Sequence, residues 1–259
     1  MIEMTVPGRM LTVHNKWFYP RPSLADGVRA VCYRQSQWTR PCAGFVRQPF
    51  STSVIDLSRT AEEIFAGFGK TTRNEIHRAE REGLSCDFDV SAAEFVEFYN
   101  RAAVPDGRVA LDARLFESAG AQKTLAAARS AGRALVMRSY VVDAQQSRAC
   151  SWHSATVQAR ESDPAVRRMI GRANRLLHFR AMLHFKERGF AIYDLGGYSN
   201  DSNDRKQQAI NQFKDGFGGT IVEESHFYSY SLYASMLVRE ALARLTRRRP
   251  VDRAQNLPP

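Results

Sequence analysis

The pattern of apolar and polar positions predicts a strand-rich N-terminal part followed by an α/β part. Short β-type runs in the first third of the chain are separated by the proline-containing turns YPRPS and TRPC. These runs predict strands over residues 29–33, 43–46 and 53–57. We therefore expect one sheet-forming layer in this part of the chain.

Two capping signals predict the helices that follow. TAEE at residues 60–63 and SAAE at residues 91–94 have the spacing of a capping box, and a helical apolar stripe follows each of them. We predict one helix over residues 61–83 and a second that ends before the turn PDG. A further helical region is predicted over residues 111–131, where glycine provides the stop.

The pattern in the rest of the chain predicts a hairpin followed by alternating helices and strands. The β-rich runs ALVMRSYVVD and RACSWHSATVQA predict an antiparallel hairpin. A long amphipathic helix, the strand FAIYDLGG, a helix over residues 205–215 and the strand TIVEESHFYSY follow. A helix between two strands implies a parallel pair inside a mixed sheet, with a binding crevice at the carboxyl ends of the strands.

The composition of the chain favours some classes of protein over others. The 259-residue chain carries a formal net charge of +10, which favours contact with phosphate groups, although a solvated basic surface would look the same. No apolar run approaches the roughly 20 residues of a membrane-spanning helix, and the opening MIEMTVPGRM lacks the apolar region of a signal peptide, so we expect a cytoplasmic protein. The scattered cysteines indicate neither a metal site nor disulfides.

A glycine-containing motif precedes the long helix. Arg168, Gly171, Arg172 and Ala173 form an R-x-x-G-R-A stretch that we expect in a loop opening this helix. Free amides and the positive end of the helix dipole would suit a pyrophosphate there. The pattern resembles the phosphate-binding loop of the GNAT acyltransferase superfamily, so these residues are our candidates for cofactor binding.

Other stretches resemble one branch of that superfamily, the FemAB-like transferases. KTTRNEIHRAEREG is similar to a segment of that branch, and GRANRLLHFRAMLHFKERGFAIYDLGG resembles its long helix and following strand. INQFKDGFGG resembles its Phe-Lys-x-x-Phe-Gly-Gly signature. The resemblance covers about residues 54–230.

The resemblance implies a fold class: α/β, with a GNAT-like mixed, mostly antiparallel central sheet that contains one parallel strand pair and is flanked by helices. We expect a strand-rich layer over residues 1–59, the GNAT-like core over residues 60–235, and a basic C-terminal helix and tail over residues 236–259. FemAB-like enzymes typically carry two full domains, whereas this chain has room for one and a partial layer.

The resemblance also implies an N-acyltransferase. The expected reaction transfers an acyl group directly from acyl-CoA, a co-substrate and not a permanently bound cofactor, to an amine of an amino sugar, an amino acid or a lipid-linked cell-envelope precursor. Aminoacyl-tRNA is the alternative donor. A non-catalytic nucleic-acid-binding protein on a decayed scaffold is the alternative from another class, and we expect no DNA partner and no metal.

Candidate catalytic residues lie on the strands and helices around the expected crevice. The resemblance puts Lys214 near the transferred group, where its ammonium could stabilise negative charge. Asp194 and His153 are candidate bases for deprotonating the amine, and Tyr198 is a candidate proton donor to the leaving group. Each of these residues also has an ordinary structural interpretation.

Further residues are candidates for substrate binding. Lys70, Arg73 and His77 fall on one face of the predicted helix, where they could hold a phosphorylated acceptor or a tRNA backbone. Gly196 and Gly197 would let a donor or acceptor approach the main chain.

A basic amphipathic helix is predicted over residues 233–249. Leu237, Ala241 and Leu245 lie on one face of this helix. Such a helix could rest on an anionic membrane as a peripheral contact. The same stripe could pack on the domain, and we expect packing.

Overall fold

The computed structural model describes residues 1–7, 11–113, 116, 123–157, 161–200 and 203–245. In chain order its elements are β1 (Ile2–Pro7), β2 (Thr12–Trp17), a 3₁₀ turn (Leu24–Val28), β3 (Val31–Ser36), β4 (Phe45–Asp56), α1 (Ala61–Ala66), α2 (Lys70–Arg81), β5 (Ser85–Asp87), α3 (Ala92–Ala103), a second 3₁₀ turn (Val104–Asp106), β6 (Lys123–Ser130), β7 (Arg133–Asp143), β8 (Arg148–Thr156), α4 (Pro164–Glu187), β9 (Ile192–Tyr198), α5 (Arg205–Asp215), β10 (Thr220–Ser229) and α6 (Tyr230–Leu245).

The chain divides into two compact units, each made of segments that are separate in the sequence. The first unit comprises Met1–Ser51, Asp106–Gly120 and Glu223–Pro259, and the second comprises Thr52–Pro105 and Ala121–Val222. The three-part division predicted from the sequence stays a prediction, and its borders after residues 59 and 235 do not coincide with these.

The first unit contains the strand order β1–β2–β3–β10. β1 and β2 pair antiparallel, β2 and β3 pair parallel, and β3 and β10 pair antiparallel. The sequence patterns did not indicate β1 and β2. The predicted runs over residues 43–46 and 53–57 were two strands, but the structure has the single strand β4, which covers only part of each run. Cys32, Tyr228 and Leu232 contribute to a small core, on which α6 packs.

The second unit is built around the strand order β9–β8–β7–β6–β5, with the second half of β4 beside β9. β7 and β8 form the predicted antiparallel hairpin. β8 and β9 are parallel, with Ala149 opposite Tyr193, because α4 connects them. The predicted fold class, a mixed and mostly antiparallel sheet flanked by helices, is confirmed, and the β2–β3 pair in the first unit is a second parallel pair.

Two of the helix predictions were wrong. The segment over residues 61–83 forms two helices, because Gly67 ends α1 and Gly69 begins α2, where the Gly69 amide donates to the Gly216 carbonyl over 2.9 Å. The described part of residues 111–131 includes β6 instead of a continuing helix. Its alanines, such as Ala127, are fully buried between β5 and β7, so ladder pairing overrides helix propensity.

The prediction that residues 168–173 form a phosphate-binding loop before the long helix was also wrong. α4 begins at Pro164, and the Asp163 side chain caps it by accepting from the Ala165 amide over 2.7 Å. The segment Arg168–Ala173 therefore lies inside the helix. Only the first four amides of a helix lack partners within it, so the amides of Gly171 and Ala173 are not free to bind a phosphate.

The glycines of FKDGFGG contact the protein's own backbone. Gly218 has φ +67°, and a Cβ at this position would overlap the carbonyl oxygen of Gly67. A Cβ on Gly219 would overlap the Ser53 hydroxyl oxygen of β4. The signature therefore joins α5 and β10 closely to the turn between α1 and α2 and to β4.

We expect Gly218→Ala to destabilise the fold. Its φ is in the left-handed region, and the added methyl group also meets main-chain atoms. Gly132→Ala is the matched control, because Gly132 has φ +79° but open space around its Cβ position. Urea unfolding should show a loss of about 1 kcal/mol for Gly132→Ala and at least twice that for Gly218→Ala. Equal losses of free energy of unfolding in the two variants would contradict a steric overlap at Gly218.

Candidate active site

Asp194 is the centre of a buried polar network in the second unit. Its carboxylate is fully buried in β9 and accepts from Arg148 Nη2 over 2.6 Å, from the Gly196 amide over 2.7 Å and from the Thr52 hydroxyl. Burial alone would raise the pKa of Asp194, but the Arg148 guanidinium and these hydrogen bonds outweigh it and hold that pKa below its usual value. Asp194 is thus an ionised, fully engaged carboxylate.

Lys214 lies beside this network. Its side chain is buried near the C-terminal end of α5, and Nζ donates to the carbonyl of Gly196 over 2.9 Å and to that of Gly197. Burial lowers the pKa of Lys214 to about 8, an effect that the Asp194 carboxylate opposes and Arg138 reinforces. An ammonium that can lose its proton near neutral pH therefore lies at the end of β9.

Gly196 links these two residues. It has φ +83°, its amide donates to Asp194, and its carbonyl accepts from Lys214. A Cβ here would lie 3.1 Å from the Ser151 carbonyl oxygen of β8. Glycine is needed at this position because the backbone conformation is left-handed and the neighbouring strand is close.

The predicted residues Asp194, Gly196, Gly197 and Lys214 therefore come together, and Tyr198 lies at the end of the same strand. The Tyr198 hydroxyl donates to the Asp215 carboxylate over 3.3 Å. Partial desolvation and this hydrogen bond raise the pKa of Tyr198. The phenol keeps its proton at neutral pH, as a proton donor must.

His153 lies in a separate cluster on β8. Its Nδ1 is 3.0 Å from the Ser139 hydroxyl, and its backbone amide donates to the same hydroxyl over 3.1 Å. The ring contacts Trp152 and Tyr99, with centroids 4.2 and 5.6 Å away. When Nδ1–H donates to the Ser139 hydroxyl oxygen, the neutral ring carries its lone pair on Nε2, which is the nitrogen that a base would use.

The sequence analysis did not single out Arg138 and Arg148, which contribute the charge around Asp194 and Lys214. Arg138 on β7 is buried and donates to Asn174 over 2.9 Å and to Ser151 over 3.0 Å. Arg138 interrupts the apolar run ALVMRSYVVD, and Arg148 is the first residue of the run RACSWH. A charged residue within a buried strand is the signal that could have found them.

A groove of about 460 Å³ runs between α2 and α4, and it contains part of the predicted cofactor site. Its lining consists of Thr71, Glu75, Pro164, Arg167, Arg168, Gly171 and Arg175. The Nε of Arg175 is buried and has no hydrogen-bond partner among the described residues. The groove presents several guanidinium groups and one carboxylate, so an anion would fit its charge.

Arg172 and Ala173 are not in this groove. The Arg172 side chain is buried and paired with Glu82, with Nε 2.8 Å from Oε2, and Ala173 lies fully in the core. Both residues stabilise the packing of α4 on its neighbours. Their predicted role in cofactor binding has no support in this geometry, because neither can reach an external phosphate without leaving the core.

The predicted substrate face of α2 separates into different environments. Arg73 donates to the carbonyls of Ala66 and Phe68 and so completes the C-terminal end of α1. His77 Nδ1 is 3.4 Å from the Glu80 carboxylate. Lys70 is exposed at the first turn of α2. A shared role of these three in holding an acceptor stays a prediction.

Among the described residues, no cluster of His, Cys, Asp or Glu has the composition of a metal site. No helix in the same part of the chain is long and apolar enough to cross a membrane.

Comparisons with known proteins rest on structure alone. No protein-family model and no curated protein sequence matches the chain. The crystal structure of FemX superposes with a TM-score of 0.62 at 11% identity, covering 91% of this chain and 85% of FemX. L-PGS from Bacillus licheniformis superposes with a TM-score of 0.57 at 13% identity, covering 97% and 86%.

A third similar structure is the C-terminal DUF2156 domain of a putative lysylphosphatidylglycerol synthetase from Agrobacterium fabrum. It has a TM-score of 0.56 at 13% identity and covers 93% of this chain and 84% of that one. Identities this low establish the fold and nothing finer. The chain has the GNAT-like fold of FemX, as the sequence resemblance predicted.

Proposed function

We propose that this chain is an acyltransferase that forms an amide by direct transfer of an acyl group to an amine. The observation that carries the proposal is the buried Lys214, whose ammonium donates to the Gly196 and Gly197 carbonyls at the end of β9. Burying an ammonium is unfavourable, so a site that retains one has a use for its charge or its proton.

In the proposed reaction the neutral amine attacks the carbonyl carbon of the donor. The tetrahedral intermediate carries a negative charge on oxygen, and the Lys214 ammonium stabilises that charge. The carbon–sulfur bond of an acyl-CoA donor then breaks, and the thiolate takes a proton. Tyr198 supplies this proton, and His153 is the candidate for removing the proton from the amine.

Asp194 has a different role in this proposal. Its carboxylate is ionised and already accepts from Arg148, Thr52 and Gly196. It therefore positions the β9 end and stabilises the positive charge of Lys214. It does not need to accept a proton from the substrate.

The donor carries phosphate groups, which the groove between α2 and α4 would hold. Arg167, Arg168 and Arg175 line this groove on one side, and guanidinium groups bind phosphate oxygens in pairs of hydrogen bonds. Side chains, not free helix amides, would make these contacts. Acyl-CoA is the first donor in this proposal, and the acceptor is an amino sugar, an amino acid or a cell-envelope precursor.

Aminoacyl-tRNA is a second candidate donor, which the names of similar structures support. Two of the similar structures are named for the synthesis of lysylphosphatidylglycerol, a lipid that carries an aminoacyl group. The FemAB-like resemblance of the sequence implies the same kind of donor. The net charge of +10 suits both donors, because each is a polyanion or carries several phosphates.

Titration calorimetry tests the proposal. Acetyl-CoA, CoA, charged tRNA and uncharged tRNA are each titrated into the full chain. We expect saturable binding of CoA that falls at least tenfold in Arg168→Ala, because one phosphate contact is lost. Arg188→Ala is the matched control, since Arg188 is an exposed residue at the other end of α4.

The outcomes separate the alternatives. If CoA does not bind and charged tRNA is preferred in a salt-dependent way, the donor is aminoacyl-tRNA instead of acyl-CoA, and the proposal of a transferase stands. Equal binding of charged and uncharged tRNA without any turnover would overturn the transferase in favour of a nucleic-acid-binding protein.

A further inference from the structure

The terminal helix α6 of the first unit has two apolar faces, and the unit covers only one of them. Leu232 is buried in the small core, and Tyr233 and Met236 pack against it. The opposite face remains exposed, where Leu237, Val238 and Leu242 have 47%, 50% and 53% of their surface accessible. Leu237 and Ala241 belong to the stripe that the sequence predicted to pack on the domain, and both are exposed, so the prediction was wrong for these two residues. The side chain of Leu245, the third residue of the stripe, lies outside the described part of the chain.

The 3₁₀ turn Leu24–Val28 lies against α6 in the same unit. The Ser231 hydroxyl at the start of α6 donates to the Arg29 carbonyl over 2.8 Å, directly after this turn. Leu24 and Val28 of the turn are 61% and 87% exposed. Neighbouring elements thus both present large aliphatic side chains to solvent.

We call Leu24, Val28, Leu237, Val238 and Leu242 the apolar surface. Val238 and Leu242 are one helical turn apart on α6, and the turn that bears Leu24 and Val28 contacts the same helix. Exposed aliphatic side chains on adjoining elements are typical of an interaction surface.

The charges around the apolar surface are mainly positive. Arg29 and Arg239 are exposed on the same two elements. The nearby Asp26 is neutralised, because its carboxylate accepts from Lys16 over 2.8 Å and from the Tyr33 hydroxyl. Glu240 is the one acidic residue in the described part of α6.

We propose that the apolar surface docks on an anionic lipid membrane. Aliphatic side chains enter the boundary between headgroups and acyl chains, while flanking arginines attract anionic headgroups. A second copy of the chain fits less well, because its interface would bring together two copies of a chain with a net charge of +10. This surface acts independently of the transferase chemistry proposed above.

Vesicle flotation of the full chain is the experiment. Vesicles of pure phosphatidylcholine are compared with vesicles containing phosphatidylglycerol, at low and high salt. We expect binding to phosphatidylglycerol vesicles that salt weakens, and little binding to phosphatidylcholine. The double variant Leu237→Glu/Leu242→Glu should bind at least tenfold more weakly, because it removes exposed aliphatic groups and adds negative charge.

The control variant is Ile221→Glu, which changes an aliphatic residue of similar exposure, 42%, outside the apolar surface. Circular dichroism and Tm establish that each variant folds, and Val28→Glu provides a second test on the separate 3₁₀ turn. Equal binding of Ile221→Glu and the double variant would overturn the proposal. So would absence of lipid binding by the unmodified chain, or a dimer in light scattering that the double variant dissociates.

Discussion

Lys214→Met is expected to lower kcat/KM by about 100-fold to 1000-fold, the usual loss when one donor to a developing oxyanion is removed. The long apolar side chain of methionine fills a similar volume without the positive charge. Because a buried ammonium costs stability, Tm should change little. Steady-state kinetics with the donor identified by calorimetry measure the effect, and circular dichroism follows folding.

Lys206→Met is the matched control for this substitution, since Lys206 is an exposed lysine on the same helix. It should retain full activity. If the two variants are equally active, Lys214 has no part in the reaction. Loss of folding in Lys214→Met alone would instead indicate a purely structural lysine.

The pH dependence supplies a separate test of the protonation state. With a pKa of about 8, Lys214 loses its proton as the pH rises through 8, so kcat/KM should fall over that interval. Lys214→Arg keeps its charge to much higher pH, and its residual activity should not fall near pH 8. A rise through pH 8 attributable to Lys214 would show that its neutral amine acts as a base.

Asp194→Asn is expected to lower the free energy of unfolding by about 3–5 kcal/mol, because it leaves the buried Arg148 guanidinium without its counter-charge. Thr52 and Gly196 donate to one carboxylate oxygen and Arg148 donates to the other, so the NH2 group of the asparagine must face one of these two sets of donors. Urea unfolding at pH 7 measures the loss. Asp89→Asn, at an exposed aspartate, should change the free energy of unfolding by less than about 0.5 kcal/mol.

The pH dependence of this loss has a definite sign. The folded-state pKa of Asp194 is below its ordinary value, so its contribution to stability is present above the unfolded pKa, about 3.9. It is lost as the pH falls through the folded-state pKa. The difference between the unmodified chain and Asp194→Asn should therefore shrink below about pH 4, and a constant difference would contradict the ion pair.

The double variant Arg148→Met/Asp194→Leu shows whether Asp194→Asn is unstable because Arg148 loses its counter-charge or because other contacts are lost. Replacing both members of a buried ion pair by apolar residues is often close to neutral, so it should recover much of the loss. If it is as unstable as Asp194→Asn, the hydrogen bonds from Thr52 and Gly196 dominate. If activity falls while stability is recovered, Asp194 serves the reaction and not only the fold.

Local chemistry in the sequence determined many of the elements. The Thr60–Glu63 capping box forms with both of its hydrogen bonds, because its donors and acceptors are three residues apart. Ser91 also caps α3, whereas Glu94 turns away to pair with Arg129 over 2.8 Å. The β7–β8 hairpin and the parallel β8–β9 pair follow from apolar periodicity and chain connectivity, which need no distant information.

The same local patterns singled out some residues of the candidate site, whose catalytic roles stay predictions. Asp194, Gly196 and Lys214 belong to short motifs that resemble a known family, and they meet in the structure. Their electrostatic environment was not predictable, because Arg148 and Arg138 reach them from other strands.

Tertiary structure alone decided the remaining features. Ala126–Ala128 would favour a helix in isolation, but ladder pairing and burial make them part of β6. The helix over residues 61–83 is divided because Gly69 binds Gly216 from a distant segment. The sequence by itself specified the apolar stripe on α6, but not which face would be covered. Each of these outcomes depends on contacts between residues far apart in the chain, whose free energy exceeds the local preferences that a sequence pattern reports.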